Sequence, residues 1–256
     1  MRIASWNIAG GHTVKSTVHF DYNPEDTSYF SEQLAALEPD VICLQETHTN
    51  EKRSTAEKIA RGLGGYHVFN SPLSPSHVDP AYKLGMAILT RKPFANERLH
   101  MYPSPEFELF FASNGRKAIE HKKALQTVDY DGMRVANTHM LPLIIFGYDY
   151  REGRGKELAS KIERVIENNL SDRGVLCGDF GMSNGQFEVY RELMKKFQLE
   201  NALPEKPTYH DASPIGGLNA PDCMFYTAGT LEVADSGVVT TNTDHYLCWA
   251  EVKDAR

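Results

Sequence analysis

Short apolar runs alternate with segments of helical spacing along most of the chain. Arg2–Asn7 and Asp40–Glu46 are apolar runs bounded by polar residues and read as buried strands. Between them, Asn23-Pro24 has the form of an N-cap followed by proline at the first helical position. Phe30, Leu34 and Leu37 then recur at helical spacing until Pro39 stops the helix. A second helix is predicted over Glu51–Leu63, ended by Gly64-Gly65, with strands near Tyr66–Asn70 and Leu84–Thr90. Asp131-Gly132, between the runs Ala118–Tyr130 and Met133–His139, is the strongest hairpin signal in the chain. A long helix over Arg151–Leu170 places Leu158, Ile162, Val165 and Ile166 on one face. Gly174–Asp179 reads as a strand and Phe187–Phe197 as an amphipathic helix. The last strands fall near Met224–Thr227, Leu231–Val239 and Tyr246–Val252.

Long helices between strands, together with a hairpin, predict a mixed-sheet α/β protein. No repeat, low-complexity tract or long linker interrupts the 256 residues, so one domain over residues 1–256 is expected. The 41% hydrophobic and 24% charged content is ordinary for a globular chain. A chain of this length folds without a disulfide or a structural metal. Cys43, Cys177, Cys223 and Cys248 show no CxxC spacing and sit in apolar runs, where free cysteine acts as a small hydrophobe; a reducing compartment fits them. The N-terminus has no long apolar stretch. The longest apolar window, Met140–Phe146, is far short of the roughly 20 residues a spanning helix needs. No membrane span and a cytoplasmic location are therefore expected, and nothing names a protein partner.

The net charge of −7, from 34 acidic residues against 27 Lys+Arg, argues against non-specific coating of nucleic acid. It leaves room for an enzyme that grips phosphate with a few cations or a metal. No GxGxxG or GxxxxGK[ST] segment is present, so nucleotide binding of the Rossmann or P-loop kind is unsupported.

Polar residues gather where the apolar runs end: Asn7, Glu46, His139, Asp179, Asp222 and Asp244-His245. Each taken singly has a plain reading as a turn residue, a helix cap or a structural histidine. Together, four carboxylates with two histidines among them repel one another unless a hard cation neutralises them, and such an oxygen-rich set suits Mg²⁺ or Mn²⁺.

The segments SWNIAGG, DVICLQETH, GMAILTR, VANTHM, GDF and TDHYLCWAEV, in that order between Ile3 and Val252, resemble the endonuclease/exonuclease/phosphatase (DNase I-like) superfamily. The resemblance implies a four-layer α/β sandwich, two mixed β-sheets packed face to face and flanked by helices. It implies that Glu46 is the principal metal-binding carboxylate, with Asn7 and Asp244 supporting the metal. By the same resemblance His245 contacts a phosphate oxygen and Asp222 orients it and keeps it protonated. Asp179 aligns or deprotonates the attacking water, and His139 is a further phosphate-contacting imidazole. Lys83, just before Gly85-Met86-Ala87, lies where related enzymes often touch substrate.

One segment departs from the family pattern. Where the family usually reads GDFN, this chain has Gly178-Asp179-Phe180-Gly181, so a side-chain amide donor is missing. A lost donor of this type costs on the order of 10²-fold or more in rate. Ser183 or Asn184 is a candidate replacement, Asn184 being carried as a substrate-binding residue, and Gly181→Asn is expected to preserve or raise activity. The basic run from Arg116 to Lys123 reads equally as a solvated face or a phosphate-binding rim. Leu141–Phe146 reads as core, as a lid, or as a hydrophobic wall beside the site. The leading expectation is a Mg²⁺- or Mn²⁺-dependent phosphodiesterase acting on DNA, RNA or a nucleotide-like substrate by direct attack of water. The same chemistry on a small-molecule or lipid phosphate is the alternative, and a catalytically silent binding protein is favoured by Gly181 alone.

Overall fold

The apolar runs assemble into two six-stranded mixed sheets. The computed structural model describes residues 1–15, 21–118, 122–182, 186–210 and 219–255. The first sheet contains β1 (Arg2–Asn7), β2 (Val41–Thr49), β3 (His67–Pro75), β4 (Lys83–Thr90), β11 (Leu231–Val239) and β12 (Leu247–Asp254), in the order β11-β12-β1-β2-β4-β3. The second contains β5 (Ala95–Met101), β6 (Ala124–Tyr130), β7 (Met133–His139), β8 (Gly174–Asp179), β9 (Leu199–Asn201) and β10 (Asp222–Thr227), in the order β5-β6-β7-β8-β10-β9. Each sheet has one parallel pair, β1 with β2 and β7 with β8, bridged by helices α1 (Thr27–Leu37) and α3 (Gly153–Glu167).

These central strands are apolar on both faces because both faces are covered. Between the sheets, Ile3, Val41, Cys43 and Ile88 meet Val128, Val135, Val175, Cys177 and Met224. On the outer face of the first sheet, Phe30 and Leu34 of α1 and Ile59 of α2 (Thr55–Gly62) pack on Trp6, Ile42, Leu44 and Leu89. On the outer face of the second, Leu158, Ala159, Ile162 and Ile166 of α3 and Leu193 of α4 (Arg191–Lys196) pack on Leu125, Ala136, Leu176 and Phe225. The result is the expected four-layer sandwich.

A polar chain crosses the otherwise apolar interior. Gln45 Nε2 donates to Asn137 Oδ1 at 2.7 Å and to Ser5 Oγ at 3.2 Å. Asn137 Nδ2 donates to Leu44 O, Ala87 O and Gln126 Oε1, and Gln126 Nε2 donates to Ser71 Oγ at 2.8 Å. Strands of both sheets are thereby joined by side-chain amides.

Several boundaries differ from the sequence expectation for physical reasons. Asp26, not Asn23, caps α1: its Oδ1 accepts from the N–H groups of Ser28 and Tyr29. Asn23 instead donates to Thr13 Oγ1 and Val14 O. Helix α2 begins only at Thr55, behind the Ser54 cap whose hydroxyl accepts from Glu57 N. Strand β6 starts at Ala124 rather than Ala118. Phe187–Phe197 splits into a 3-10 turn (Gln186–Tyr190) and α4. The edge strands β5 and β9 were not foreseen. β5 is exposed along nearly its whole length and β9 has three residues, so neither leaves an apolar signature.

Candidate active site

Strand register alone brings most of the predicted polar residues to one rim. His139, Asp179 and Asp222 are consecutive partners across β7, β8 and β10. In the facing sheet Asn7 lies opposite Gln45, with Glu46 next in the chain. The two sheet ends meet at Asp179. Asn7 Nδ2 donates to its Oδ2 at 3.0 Å, while His139 Nε2 lies 3.5 Å and His245 Nε2 3.8 Å from the same oxygen.

Glu46 does not end its strand, as the apolar run suggested. It occupies a bulge in the β2–β4 pairing between Gln45 and Thr47, with φ +55°, after which the strand continues to Thr49. A non-glycine residue in the left-handed region is uncommon, and such bulges re-aim a side chain toward a site. Its carbonyl accepts from Gly10 N at 2.7 Å. Gly10 has φ +76°, and a Cβ there would fall 2.3 Å from the His48 ring, so only glycine lets the backbone approach.

The Gly181 departure is resolved by the backbone. Gly181 N donates to Asp179 Oδ1 at 2.8 Å, so both oxygens of this carboxylate are held without a side-chain amide. The same position excludes the expected gain from Gly181→Asn. Its φ is +57°, and a Cβ would lie 2.8 Å from Pro142 Cα and 2.9 Å from Pro142 N. Asn184 and Ser183, the candidates for the missing amide, lie outside the described residues.

His245 Nδ1 and Asp222 Oδ2 are 2.9 Å apart. Burial alone would discharge this imidazole, but the carboxylates of Asp222 and Asp179 outweigh it and push its pKa up to about 10. Burial in turn raises Asp222, against the pull of the imidazolium. The His245 backbone is fixed by Trp6, whose indole N–H donates to His245 O at 2.9 Å and whose ring packs on Phe30. Tyr209 presents its ring edge-on, 4.7 Å from the imidazole.

Asp244 accepts on Oδ2 from the Tyr22 hydroxyl at 2.7 Å and on Oδ1 from His245 N at 3.0 Å. Burial, with Asp244 and Glu46 nearby, holds the Tyr22 phenol far above its ordinary range, so it stays a donor. The nearest ionisable side chains to the Glu46 carboxylate are the imidazoles of His139 at 3.7 Å and His77 at 4.0 Å. It accepts no hydrogen bond among the described residues. A nearly buried carboxylate left so is a setting that suits a hard divalent cation.

A second group, Asp179, Asp222 and His245, has ligand atoms within 4.8 Å of one another, the one such cluster among the described residues. Its imidazole already engages Asp222 Oδ2 through Nδ1 at 2.9 Å.

A cleft beside Glu46 is lined by Ser74, His77, Gly85, Lys122, Lys123 and His139. Lys83 is exposed at the start of β4, opposite Thr49 and Pro75, and does not line this cleft. The Leu141–Phe146 run is mainly packing: Leu141 and Leu143 are buried and Phe146 lies against Phe111. Sequence reasoning missed Tyr22, His77 and the Gly181 N–H. The first two lie in loops without periodicity, and the third is a backbone group.

Two mixed sheets packed face to face bring carboxylates and imidazoles together where their ends meet. The chain belongs to the endonuclease/exonuclease/phosphatase family, matched over residues 4–249. It is similar to a DNA-(apurinic or apyrimidinic site) endonuclease of Dictyostelium discoideum, 22% identical over 210 residues. That alignment covers 82% of this chain and 49% of the relative, so the chain spans about half the relative's length. Among solved structures it resembles an endonuclease/exonuclease/phosphatase from Beutenbergia cavernae, at TM-score 0.72 and 17% identity, covering 99% of this chain and 71% of the other. It also resembles an AP endonuclease from Archaeoglobus fulgidus, at TM-score 0.61 and 16% identity, covering 98% of each chain. No helix among the described residues is long and apolar enough to cross a membrane.

Proposed function

We propose that this protein is a Mg²⁺- or Mn²⁺-dependent phosphodiesterase that hydrolyses nucleic acid or a nucleotide-like substrate by direct attack of water. The observation that carries the reading is the arrangement about Asp179. Both its oxygens are fixed, by Asn7 Nδ2 and Gly181 N, and two imidazoles, one at the end of β7 and one just before β12, flank Oδ2. A carboxylate so fixed orients a water and takes its proton as the new P–O bond forms and the bond to the leaving oxygen breaks. His245, kept as an imidazolium by Asp222, donates from Nε2 to a phosphoryl oxygen where negative charge gathers. Glu46, with Asn7 and Asp244, would hold the divalent cation. When bound, that ion supplies Lewis-acid stabilisation of the phosphoryl oxygens and of the leaving oxygen. His139 lies on the far side of Asp179 from Asp222.

The abasic-site endonuclease among the relatives supports a nucleic-acid substrate. The net charge of −7 favours a second reading, the same chemistry on a small or lipid phosphodiester. A silent binding protein loses its one argument, because Gly181 still holds Asp179 through its backbone.

The test is turnover of a generic aryl phosphodiester, a phosphomonoester, abasic-site duplex DNA, single-stranded DNA, RNA and a lipid phosphodiester, in EDTA, Mg²⁺ or Mn²⁺. Metal-dependent phosphodiester cleavage is expected. Asp179→Asn should lower kcat by about 10²-fold or more, and Glu46→Gln should abolish the metal response. Turnover in EDTA that survives Glu46→Gln overturns the assignment.

A further inference from the structure

One ammonium group at the rim has no part in this scheme. Lys123 immediately precedes β6, whose first residue, Ala124, lies opposite His139 in β7. Its backbone carbonyl is anchored by Tyr102 N at 2.9 Å. Its Nζ lies 2.5 Å from His139 Nε2, and it lines the cleft shared by Glu46, His77 and His139.

The donor count is informative. A lysine ammonium has three donors and no acceptor, so against it His139 Nε2 must accept, which makes the imidazole neutral with its proton on Nδ1. His139 is then unable to donate from Nε2 to a phosphate. Lys123 makes no other hydrogen bond and no ion pair among the described residues, so two of its N–H groups remain unspent. Were the lysine a structural counter-charge for the acidic rim, it would sit in contact with a carboxylate. Instead Glu46 and Asp179 act on it only from a distance. Their field opposes the burial that pulls its pKa down. A half-buried ammonium with two unspent donors that lines the cleft offers them to an anionic oxygen entering it.

Resting on the reading of this rim as a phosphoester centre, we propose that Lys123 is the phosphate-contacting cation on the β6–β7 flank, across Asp179 from His245. His139 is a positioning residue that aims it. The ligand class is a phosphoryl oxygen carrying negative charge. The phosphate-contacting role that the family resemblance gives to His139 passes, in this chain, to the lysine it holds.

The experiment uses the whole chain with inorganic phosphate as the probe. Calorimetric binding should weaken about 10- to 100-fold in Lys123→Met, as expected for loss of charged hydrogen bonds, and be largely restored in Lys123→Arg. Melting temperatures check that each variant folds. His139→Ala should weaken phosphate binding, but adding it to Lys123→Met should bring no further loss, because it acts through the lysine. Nitrogen NMR of the phosphate-free protein should find His139 protonated on Nδ1 and bare on Nε2. Wild-type phosphate affinity in a folded Lys123→Met variant, additive losses in the double variant, or a proton on Nε2 would each overturn the proposal. If the protein hydrolyses phosphodiesters while Lys123→Met keeps wild-type KM, kcat and phosphate affinity, the proposal fails and the hydrolase reading stands. If nothing is hydrolysed but phosphate binds through Lys123, the reverse holds. A wild-type protein that does not bind phosphate ends the proposal.

Discussion

At position 181 one glycine both holds the Asp179 carboxylate and occupies a tight backbone position. The N–H that holds Asp179 comes from a backbone at φ +57°, pressed against Pro142. Gly181→Ala is therefore expected to cost about 1–3 kcal/mol, from left-handed strain and the close contact. It should also lower kcat by displacing Asp179. Denaturant melts and steady-state kinetics check both, and Gly181→Asn should follow the same direction. A variant as stable and as active as wild type would show that the Pro142 segment yields at no cost. Glu46, Asp179, Asp222 and His245 were legible because charged groups interrupting apolar runs are visible in one dimension. The Gly181 contact was not, because a motif compared by side chains is blind to a donor supplied by the main chain. Tyr22 was hidden for a different reason: its hydroxyl reaches Asp244 from a loop 222 positions away.

Elements were most legible where tertiary packing and local pattern agree. β7 and β8 coincide with their apolar runs, and the Asp131-Gly132 turn sits where the hairpin signal put it. The α1 cap was misplaced because Asn23-Pro24 and Asp26 offer similar local chemistry, and only the described bonds of Asn23 to Thr13 and Val14 exclude it. Asp26→Ala should cost about 1 kcal/mol, read from thermal or urea unfolding. The β5–β6–β7 segment carries a pH-dependent tie. Asp129 accepts from Arg134 Nε at 2.5 Å and from Asn96 Nδ2 at 2.7 Å, and chiefly the Arg134 bond holds its pKa below the ordinary value. A lowered carboxyl pKa in the folded state stabilises above the unfolded value and loses that contribution as pH falls through the folded one. Asp129→Asn should thus cost less than about 1 kcal/mol at neutral pH, given its partial exposure. The difference from wild type should shrink as pH falls through and below the ordinary carboxyl range in melting-temperature series.

For the molecule as a whole, the amide chain through Gln45, Asn137 and Gln126 ties the two sheets together just behind the rim that carries Asp179. Asn137→Leu takes a buried donor from the carbonyls of Leu44 and Ala87 and from Gln126 Oε1, and takes the Asn137 Oδ1 acceptor from Gln45 Nε2. Each orphaned group costs about 1–3 kcal/mol, so the variant should lose on the order of 3 kcal/mol or more in denaturant titration. Cation binding should register in the same global equilibrium. Millimolar Mg²⁺ is expected to raise the melting temperature of the wild type and not that of Glu46→Gln. The sandwich itself was legible because strands apolar on both faces demand a cover on each side. The amide chain was not, since Asn and Gln inside a strand look like surface positions until the opposite sheet is in place.

The sealing of that sandwich has a practical corollary. Cys43, Cys177 and Cys248 have no accessible surface and Cys223 is 4% accessible. Burial pushes the thiols of Cys43, Cys223 and Cys248 up, away from the reactive thiolate. A thiol-reactive dye can reach Cys43 and Cys177, which face each other from opposite sheets, only when the layers part. The rate at which they are labelled becomes a clock for how often the protein breathes open, readable independently of any activity assay.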